Sequence, residues 1–174
     1  MKGMYREEYK KKLMTADEAA RIVKSGDKIW YGSFNGKPID TDKALAARKD
    51  ELTGVIIQTA GSVPPPPMVV LADPTHEHFT YHSWYFTGLD RKLSDNGMVF
   101  YSTINYHECR KVVEELYPPE VGIFQVAPMD DHGFFNFGKT FRCDNRRGRV
   151  SPHTARVRSQ IPIVNRFMIL TGDH

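Results

Sequence analysis

The sequence has little cysteine and no long apolar run. Its 174 residues include two cysteines, Cys109 and Cys143, which provide neither a disulfide framework nor a cysteine metal cluster and fit a reducing compartment. The apolar runs are too short to span a bilayer, and the amino-terminal segment is charged and helix-like. These features predict that the chain has neither a signal peptide nor a transmembrane anchor, and that it is a cytoplasmic protein without a membrane partner.

Glutamate is missing from one end of the chain, although the net charge of +3 does not reveal this. Residues 1–138 carry 16 Lys and Arg against 19 Asp and Glu. Residues 139–174 carry eight basic residues, seven of them Arg, against two acidic residues. The abrupt change divides the chain, and the part before it is predicted to form one domain of ordinary globular composition.

Short apolar runs alternate with helical segments along residues 1–138. The pattern predicts strands at 28–32, 55–59, 98–103 and 121–127, and helices that begin near residues 15, 41, 68, 89 and 106. Strands that alternate with helices indicate βαβ units. The predicted fold class is therefore α/β, with a mainly parallel sheet flanked by helices.

Glycines follow two of the predicted strands. Gly32, Asn35 and Gly36 lie in the loop after the first strand, and Gly61 follows the second. Neither loop contains GxGxxG or GxxxxGKS, so the nucleotide fingerprints are absent. Tight strand-to-helix turns are the favoured interpretation, and the alternative is that backbone amides approach a carboxylate, a phosphate or a thioester.

The most distinctive stretch is residues 121–138, VGIFQVAPMDDHGFFNFG. Its apolar strand is followed by Asp130, His132 and Gly133, at the place where open α/β sheets bind ligands. A histidine beside carboxylates can act in general acid–base chemistry. Because no nucleophile is visible beside it, the favoured interpretation is a capped turn, in which Asp accepts backbone amides and Gly adopts a positive φ.

Three histidines, His76, His78 and His82, lie close together in the sequence. Their spacing would suit a metal on a strand, but no cysteine lies nearby and the neighbouring carboxylates are not at a recognised ligand spacing. Loop or surface histidines are therefore predicted, and no metal site.

Several segments together carry a family resemblance. They are the opening YREEYKKKLMTADEAARIVKSGDKIWYG, the segments ELTGV and HSWYFTGLDRK, and the motif APMDDHGFFNFG. In register over residues 4–138, they resemble the amino-terminal half of the acetyl-CoA hydrolase/transferase family of CoA-transferases.

The resemblance implies an enzyme family that moves CoA between acyl groups, typically from butyryl-CoA to acetate, or that hydrolyses acetyl-CoA. It implies no cofactor beyond CoA itself, and two similar α/β domains with the active site between them. A glutamate attacks the thioester and becomes a glutamyl-CoA thioester. That glutamate lies in the family's carboxyl-terminal half, and none of the nine glutamates here matches it. No catalytic residue is therefore assigned to this chain.

The residues that carry over are expected to line or brace a substrate cleft rather than to perform the chemistry. In the motif they are Asp130, His132, Gly133, Asn136 and Gly138. The weaker candidates, in the loops, are Gly32, Asn35, Gly36 and Gly61.

Residues 139–174 do not continue the resemblance. The family continues with a helix and a buried strand, whereas this segment is rich in arginine and lacks helical periodicity. A frameshift or truncation is the favoured explanation, and a basic tail for nucleic acid is the alternative. The chain is then a CoA-transferase half that is inactive alone, with unpaired sheet edges. A homo-oligomer and a separate subunit that supplies the missing half stay open.

Overall fold

The computed structural model describes residues 2–136 and three short strands at 154–156, 163–164 and 167–171. The helices are α1 (Lys2–Lys12), α2 (Ala16–Ala20), α3 (Ile39–Ala47), α4 (Met68–Ala72), α5 (Gly88–Asp95) and α6 (Cys109–Lys111). The strands are β1 (Lys28–Tyr31), β2 (Val55–Thr59), β3 (Phe79–Ser83), β4 (Phe100–Tyr101), β5 (Val121–Gln125), β6 (Phe134–Asn136), β7 (Thr154–Arg156), β8 (Ile163–Val164) and β9 (Phe167–Thr171).

A mainly parallel sheet organises these elements, in the order β4-β3-β2-β1-β5-β9-β8. The five strands from β4 to β5 are parallel to one another, and β1 lies between β2 and β5. This confirms the predicted α/β fold class. Because the parallel strands share one direction, the loops that leave them meet at one side of the sheet, which we call the carboxyl edge.

The far side of β5 is covered. β9 pairs with β5 in the antiparallel direction, with Val121 opposite Thr171, and β8 pairs with β9. The expectation that the arginine-rich segment leaves this edge unpaired is therefore wrong at β5. The remaining part of residues 139–174, including the segments between these strands, lies outside the described residues.

The sheet has a hydrophobic cluster on each face, because successive side chains of a strand point to opposite sides. Ile29 and Tyr31 of β1 pack in a large cluster with Leu45 of α3. Trp30 packs on the other face in a smaller cluster that includes Phe135.

Two predicted elements and one cysteine differ from their predictions, and β3 and β6 form where no strand was predicted. The strand expected at 98–103 is reduced to the two residues of β4. The helix expected at 106–117 consists of a 3₁₀ turn (Tyr106–Glu108), α6 and a π-helix (Val112–Leu116). Cys109 is disulfide-bonded, contrary to the expectation of reduced cysteines. Among the helices of the described residues, none is long and apolar enough to cross a membrane.

Candidate functional site

The loop after β1, residues 32–38, folds back against β5 at the carboxyl edge. The Gly32 N–H donates to the Ile123 carbonyl at 2.9 Å, and the Gln125 N–H donates to the Gly36 carbonyl at 2.9 Å. A Cβ on Gly32 would lie 2.2 Å from the Gly36 carbonyl oxygen. A side chain at Gly32 would therefore force the loop away from β5.

Asn35 lies at the exposed tip of this loop. The neighbouring amides are already used, since the Phe34 N–H donates to the Gly61 carbonyl at 2.8 Å and the Gly36 N–H donates to the Ser33 carbonyl at 2.9 Å. Within residues 2–136, Asn35 itself makes no hydrogen bond. The loop is thus the tight turn that the sequence favours, and Asn35 is the group in it that is available to a ligand.

Gly61 allows the Phe34 ring and the Tyr85 backbone to approach closely just after β2. Its φ is +148°, and a Cβ there would lie 2.8 Å from the Phe34 ring and 2.9 Å from the Tyr85 carbonyl oxygen. Phe34 has a φ of +53°, which is rare for a bulky residue. Its ring packs edge-on against Tyr85 at a centroid distance of 6.1 Å. The structure therefore brings Gly32, Gly36 and Gly61 together in adjoining loops.

Residues 130–133 form a capped turn. The Asp130 carboxylate accepts the N–H groups of His132 and Phe134, each at 2.8 Å, and the Asp130 N–H donates to the Phe134 carbonyl at 2.9 Å. The bond from the Phe134 amide is the main cause that lowers the pKa of Asp130. Gly133 has a φ of +82°. The geometry is the one that the favoured interpretation predicts.

Helix α1 packs over this turn. A Cβ on Gly133 would lie 2.8 Å from the Tyr5 ring, and Tyr9 lies against Phe135 at a centroid distance of 6.1 Å. Arg6 forms an exposed ion pair with Asp131 at 3.4 Å. The contacts that the structure shows for the turn are thus with α1, not with the loops around Gly36 and Gly61.

The remaining motif residues are placed less fully. His132 is exposed, and only its backbone N–H is hydrogen-bonded within the described residues. Asn136 ends β6, and its side chain lies outside the described structure. Gly138 lies outside the described residues. The cleft-lining role of these residues stays a prediction.

The three histidines do not converge. His78 Nδ1 contacts the Leu52 carbonyl at 2.8 Å, and His76 Nε2 contacts the Gly97 carbonyl at 2.6 Å. His82 contacts the Ser102 hydroxyl at 3.1 Å. The three rings have different hydrogen-bond partners, although His76 and His82 both pack against Phe100, at centroid distances of 4.8 and 5.6 Å. No group of three metal-ligating side chains occurs among the described residues.

Sequence reasoning missed three buried charged side chains at the carboxyl edge. Lys37, Asp42 and Asp90 are 5%, 2% and 0% exposed. Burial raises the pKa of Asp42 to about 6, although the amides of Met68 and Val69 and the charge of Lys37 oppose that shift. Burial lowers the pKa of Lys37, while the nearby carboxylates of Asp42 and Asp90 raise it. These groups therefore interact electrostatically out of water.

Only one of these three residues carries a signal in the sequence. Thr87 and Asp90 form a T-x-x-D capping box, in which the Thr87 N–H donates to the Asp90 carboxylate at 3.0 Å. Lys37 and Asp42 have no such pattern, because each bonds to backbone groups at least 26 residues away.

Comparison with known proteins places this architecture in a family. The family model that matches is described as "Acetyl-CoA hydrolase/transferase N-terminal domain", and it matches residues 1–166. The chain belongs to the acetyl-CoA hydrolase/transferase family. This confirms the resemblance seen in the sequence, and the matched residues extend past Gly138.

Two similar relatives are named as butyrate-type transferases. The butyryl-CoA:acetate CoA-transferase of Anaerostipes caccae is 44% identical over 138 residues, which cover 77% of this chain and 30% of that protein. The probable butyrate:acetyl-CoA coenzyme A-transferase of Syntrophomonas wolfei is 43% identical over 134 residues, which cover 76% of this chain and 29% of that protein. The chain therefore spans about 30% of the length of these relatives.

Solved structures share the fold. RipA from Yersinia pestis has a TM-score of 0.66 at 23% identity, covering 76% of this chain and 33% of RipA. The 4-hydroxybutyrate CoA-transferase from Porphyromonas gingivalis has a TM-score of 0.56 at 18% identity, covering 76% of this chain and 29% of that protein. These likenesses concern the fold alone.

Proposed function

We propose that this chain is the N-terminal domain of a CoA-transferase that moves CoA between a short-chain acyl-CoA, such as butyryl-CoA, and a carboxylate, such as acetate. The observation that carries the proposal is the 44% identity to a butyryl-CoA:acetate CoA-transferase over 138 residues. We propose no cofactor beyond CoA, and a cytoplasmic location that rests on the family resemblance and not on the cysteines.

The proposed reaction proceeds through a glutamyl-CoA thioester. A glutamate carboxylate bonds to the acyl carbon of butyryl-CoA, and the CoA thiolate leaves to give a mixed anhydride. The thiolate then attacks the glutamyl carbonyl, which forms glutamyl-CoA and releases butyrate. Acetate attacks glutamyl-CoA in the same manner, and the second anhydride yields acetyl-CoA and the free glutamate.

In this proposal the described residues shape one wall of the cleft and do not supply the nucleophile. Asn35 reaches the ligand from the loop after β1, since its side chain is exposed and makes no hydrogen bond within residues 2–136. Gly32, Gly36 and Gly61 allow the neighbouring loops to close behind it. Asp130 and His132 brace the turn that follows β5, because the Asp130 carboxylate accepts two backbone amides of that turn.

The nucleophilic glutamate comes from a further part of the protein or from a second subunit. The chain contains nine glutamates, and all of them lie within residues 1–138. None of them matches the position that the family resemblance implies for the nucleophile. The chain alone is therefore expected to lack transferase activity.

Complementation in trans tests this proposal. The chain is co-expressed with the part of the Anaerostipes caccae enzyme that lies downstream of the aligned region, and transfer of CoA from butyryl-CoA to acetate is assayed. We expect activity only when both polypeptides are present. Turnover by this chain alone would refute the missing-nucleophile argument.

A basic nucleic-acid-binding tail is the competing function, and the charge of residues 139–174 is the observation that favours it. Binding of this kind weakens steeply with salt, because each phosphate contact releases counterions. We expect no RNA or DNA binding at low salt. Salt-dependent binding that is lost on deletion of residues 139–174 would favour the tail instead.

A further inference from the structure

Residues 62–68 form a proline-rich segment that has few backbone N–H groups with which to form local hydrogen bonds. The segment leaves β2 at the carboxyl edge and contains four consecutive prolines, of which Pro64 and Pro65 are exposed. Proline has no N–H group, so these residues offer only carbonyl oxygens to the backbone hydrogen-bond network. Bonds from elsewhere in the domain must therefore fix the segment.

Three buried charged side chains provide those bonds from three different elements. The carboxylate of Asp90, in α5, accepts the Ser62 N–H at 3.0 Å. The ammonium group of Lys37, in the loop after β1, donates to the Val63 carbonyl at 2.9 Å and to the Pro65 carbonyl. The carboxylate of Asp42, in α3, accepts the Met68 N–H.

Neutral groups add to this grip at the start of the segment. The Ser62 hydroxyl bonds to the Tyr81 hydroxyl at 2.9 Å, and the Thr87 hydroxyl donates to the Ser62 carbonyl. Both ends of the proline run are thus fixed, and Lys37 holds its middle. A buried charge is costly unless it is paired and hydrogen-bonded. Three such charges around one short segment therefore indicate that the segment must be held in a fixed position.

We propose that Lys37, Asp42 and Asp90 are positioning residues that clamp residues 62–68 as a preformed wall of the carboxyl edge, beside the Asn35 tip. Lys37 and Asn35 belong to the same loop, so the clamp also couples this loop to the proline segment. The use of the wall by an acyl-CoA rests on the proposed function, whereas the clamp itself does not.

Amide hydrogen exchange on the full 174-residue chain tests the clamp without any ligand. Lys37→Met removes the bonds to the Val63 and Pro65 carbonyls. The Ser62 and Met68 amides report on the segment independently, because their acceptors are the carboxylates of Asp90 and Asp42. We expect their protection to fall by roughly 10- to 100-fold, the factor that corresponds to loss of a hydrogen bond to a charged group. Protection of the Ile57 and Ile123 amides, in β2 and β5, should stay unchanged.

Matched controls come from α3, the helix that contains Asp42. Lys43→Met and Asp40→Asn change exposed residues of α3 and should leave all four amides as they are. The double variant Lys37→Met with Asp42→Asn should lower Ser62 protection no further than Lys37→Met alone, because the clamp acts as a unit. An equal fall at Ile57 and Ile123 would overturn the proposal in favour of general stability, and unchanged Ser62 and Met68 amides would overturn it outright.

The unmodified chain provides a second measurement if Lys37→Met does not fold. Asp42 is faced by Lys37 and Tyr31 and lies near Tyr81, and its pKa is about 6. On titration from pH 7.5 to pH 5, the NMR signals of Ser62, Val63 and Met68 should shift together with one midpoint. A shift confined to Met68 would mean that the segment is not held as a unit and would overturn the clamp.

The tests of the clamp and the test of the proposed function can fail independently of each other. Exchange and titration need no CoA, so they can succeed when the complementation assay fails. Conversely, transferase activity in the complementation assay with unchanged exchange in Lys37→Met would retain the function and reject the clamp.

Discussion

Replacement of Gly32 by alanine tests how closely the loop after β1 approaches β5. The added Cβ would lie 2.2 Å from the Gly36 carbonyl oxygen. This oxygen belongs to the backbone and accepts the Gln125 N–H. The clash cannot be relieved by a side-chain rotation, so the loop itself must move by roughly 1.2 Å or more to reach an ordinary van der Waals distance.

The expected cost has two parts. Forcing extra volume into a packed site costs about 1–3 kcal/mol. Loss of the bond between Gln125 and Gly36 costs a further ~1 kcal/mol. The free energy of unfolding should therefore fall by about 2–4 kcal/mol in Gly32→Ala, which lowers Tm by roughly 5 to 15 °C for a chain of this size.

Urea unfolding followed by circular dichroism measures this loss. Gly88→Ala is the matched control, because a Cβ at Gly88 has no heavy atom within 4 Å. Gly88→Ala should change the free energy of unfolding by less than about 0.5 kcal/mol. If Gly32→Ala were as mild as Gly88→Ala, the close approach of the loop to β5 would be refuted.

Three further predictions concern the turn, the buried acid and the exposed histidine. Gly133→Ala should destabilise more than Gly97→Ala by at least about 1 kcal/mol, because both glycines have positive φ but only Gly133 contacts Tyr5; equal urea midpoints would contradict this. The raised pKa of Asp42 means that the folded chain binds its proton more tightly than the unfolded chain, so stability from this group is present below about pH 4 and is lost as pH rises to about 6. The loss is up to about 3 kcal/mol, and Asp42→Asn should remove that slope from a pH series of urea melts; a slope that persists in the variant would refute the assignment. His132→Ala in an active complemented enzyme should lower kcat by less than about 10-fold, whereas a general acid–base role would cost about 100-fold or more.

Local signals in the sequence predicted much of the fold. Val55–Thr59 is a strand with the bounds expected, because an apolar run marks it, and the helix predicted to begin near residue 68 begins at Met68, directly after four prolines. The helix predicted to begin near residue 15 does so, and it begins with a capping box in which the Glu18 N–H donates to the Thr15 hydroxyl at 3.2 Å. The Asp130 turn was equally readable, because its bonds lie within four residues.

Features that depend on long-range contacts could not be predicted from the sequence. Lys37 and Asp42 look like surface residues of a loop and a helix, and only the fold brings the proline segment over them. The pairing of β9 with β5 also depends on contacts across more than 40 residues, for which arginine-rich sequence offers no periodic signal. Local patterns thus indicated the α/β class and the turns, but not the buried charges between them.

A covalent fusion tests the central claim most directly. Residues 1–136 of this chain replace the aligned region of the Anaerostipes caccae butyryl-CoA:acetate CoA-transferase, and formation of acetyl-CoA from butyryl-CoA and acetate is measured beside the unfused chain. The account predicts transfer by the fusion and none by the chain alone. A folded fusion without transfer, or transfer by the chain alone, would contradict it.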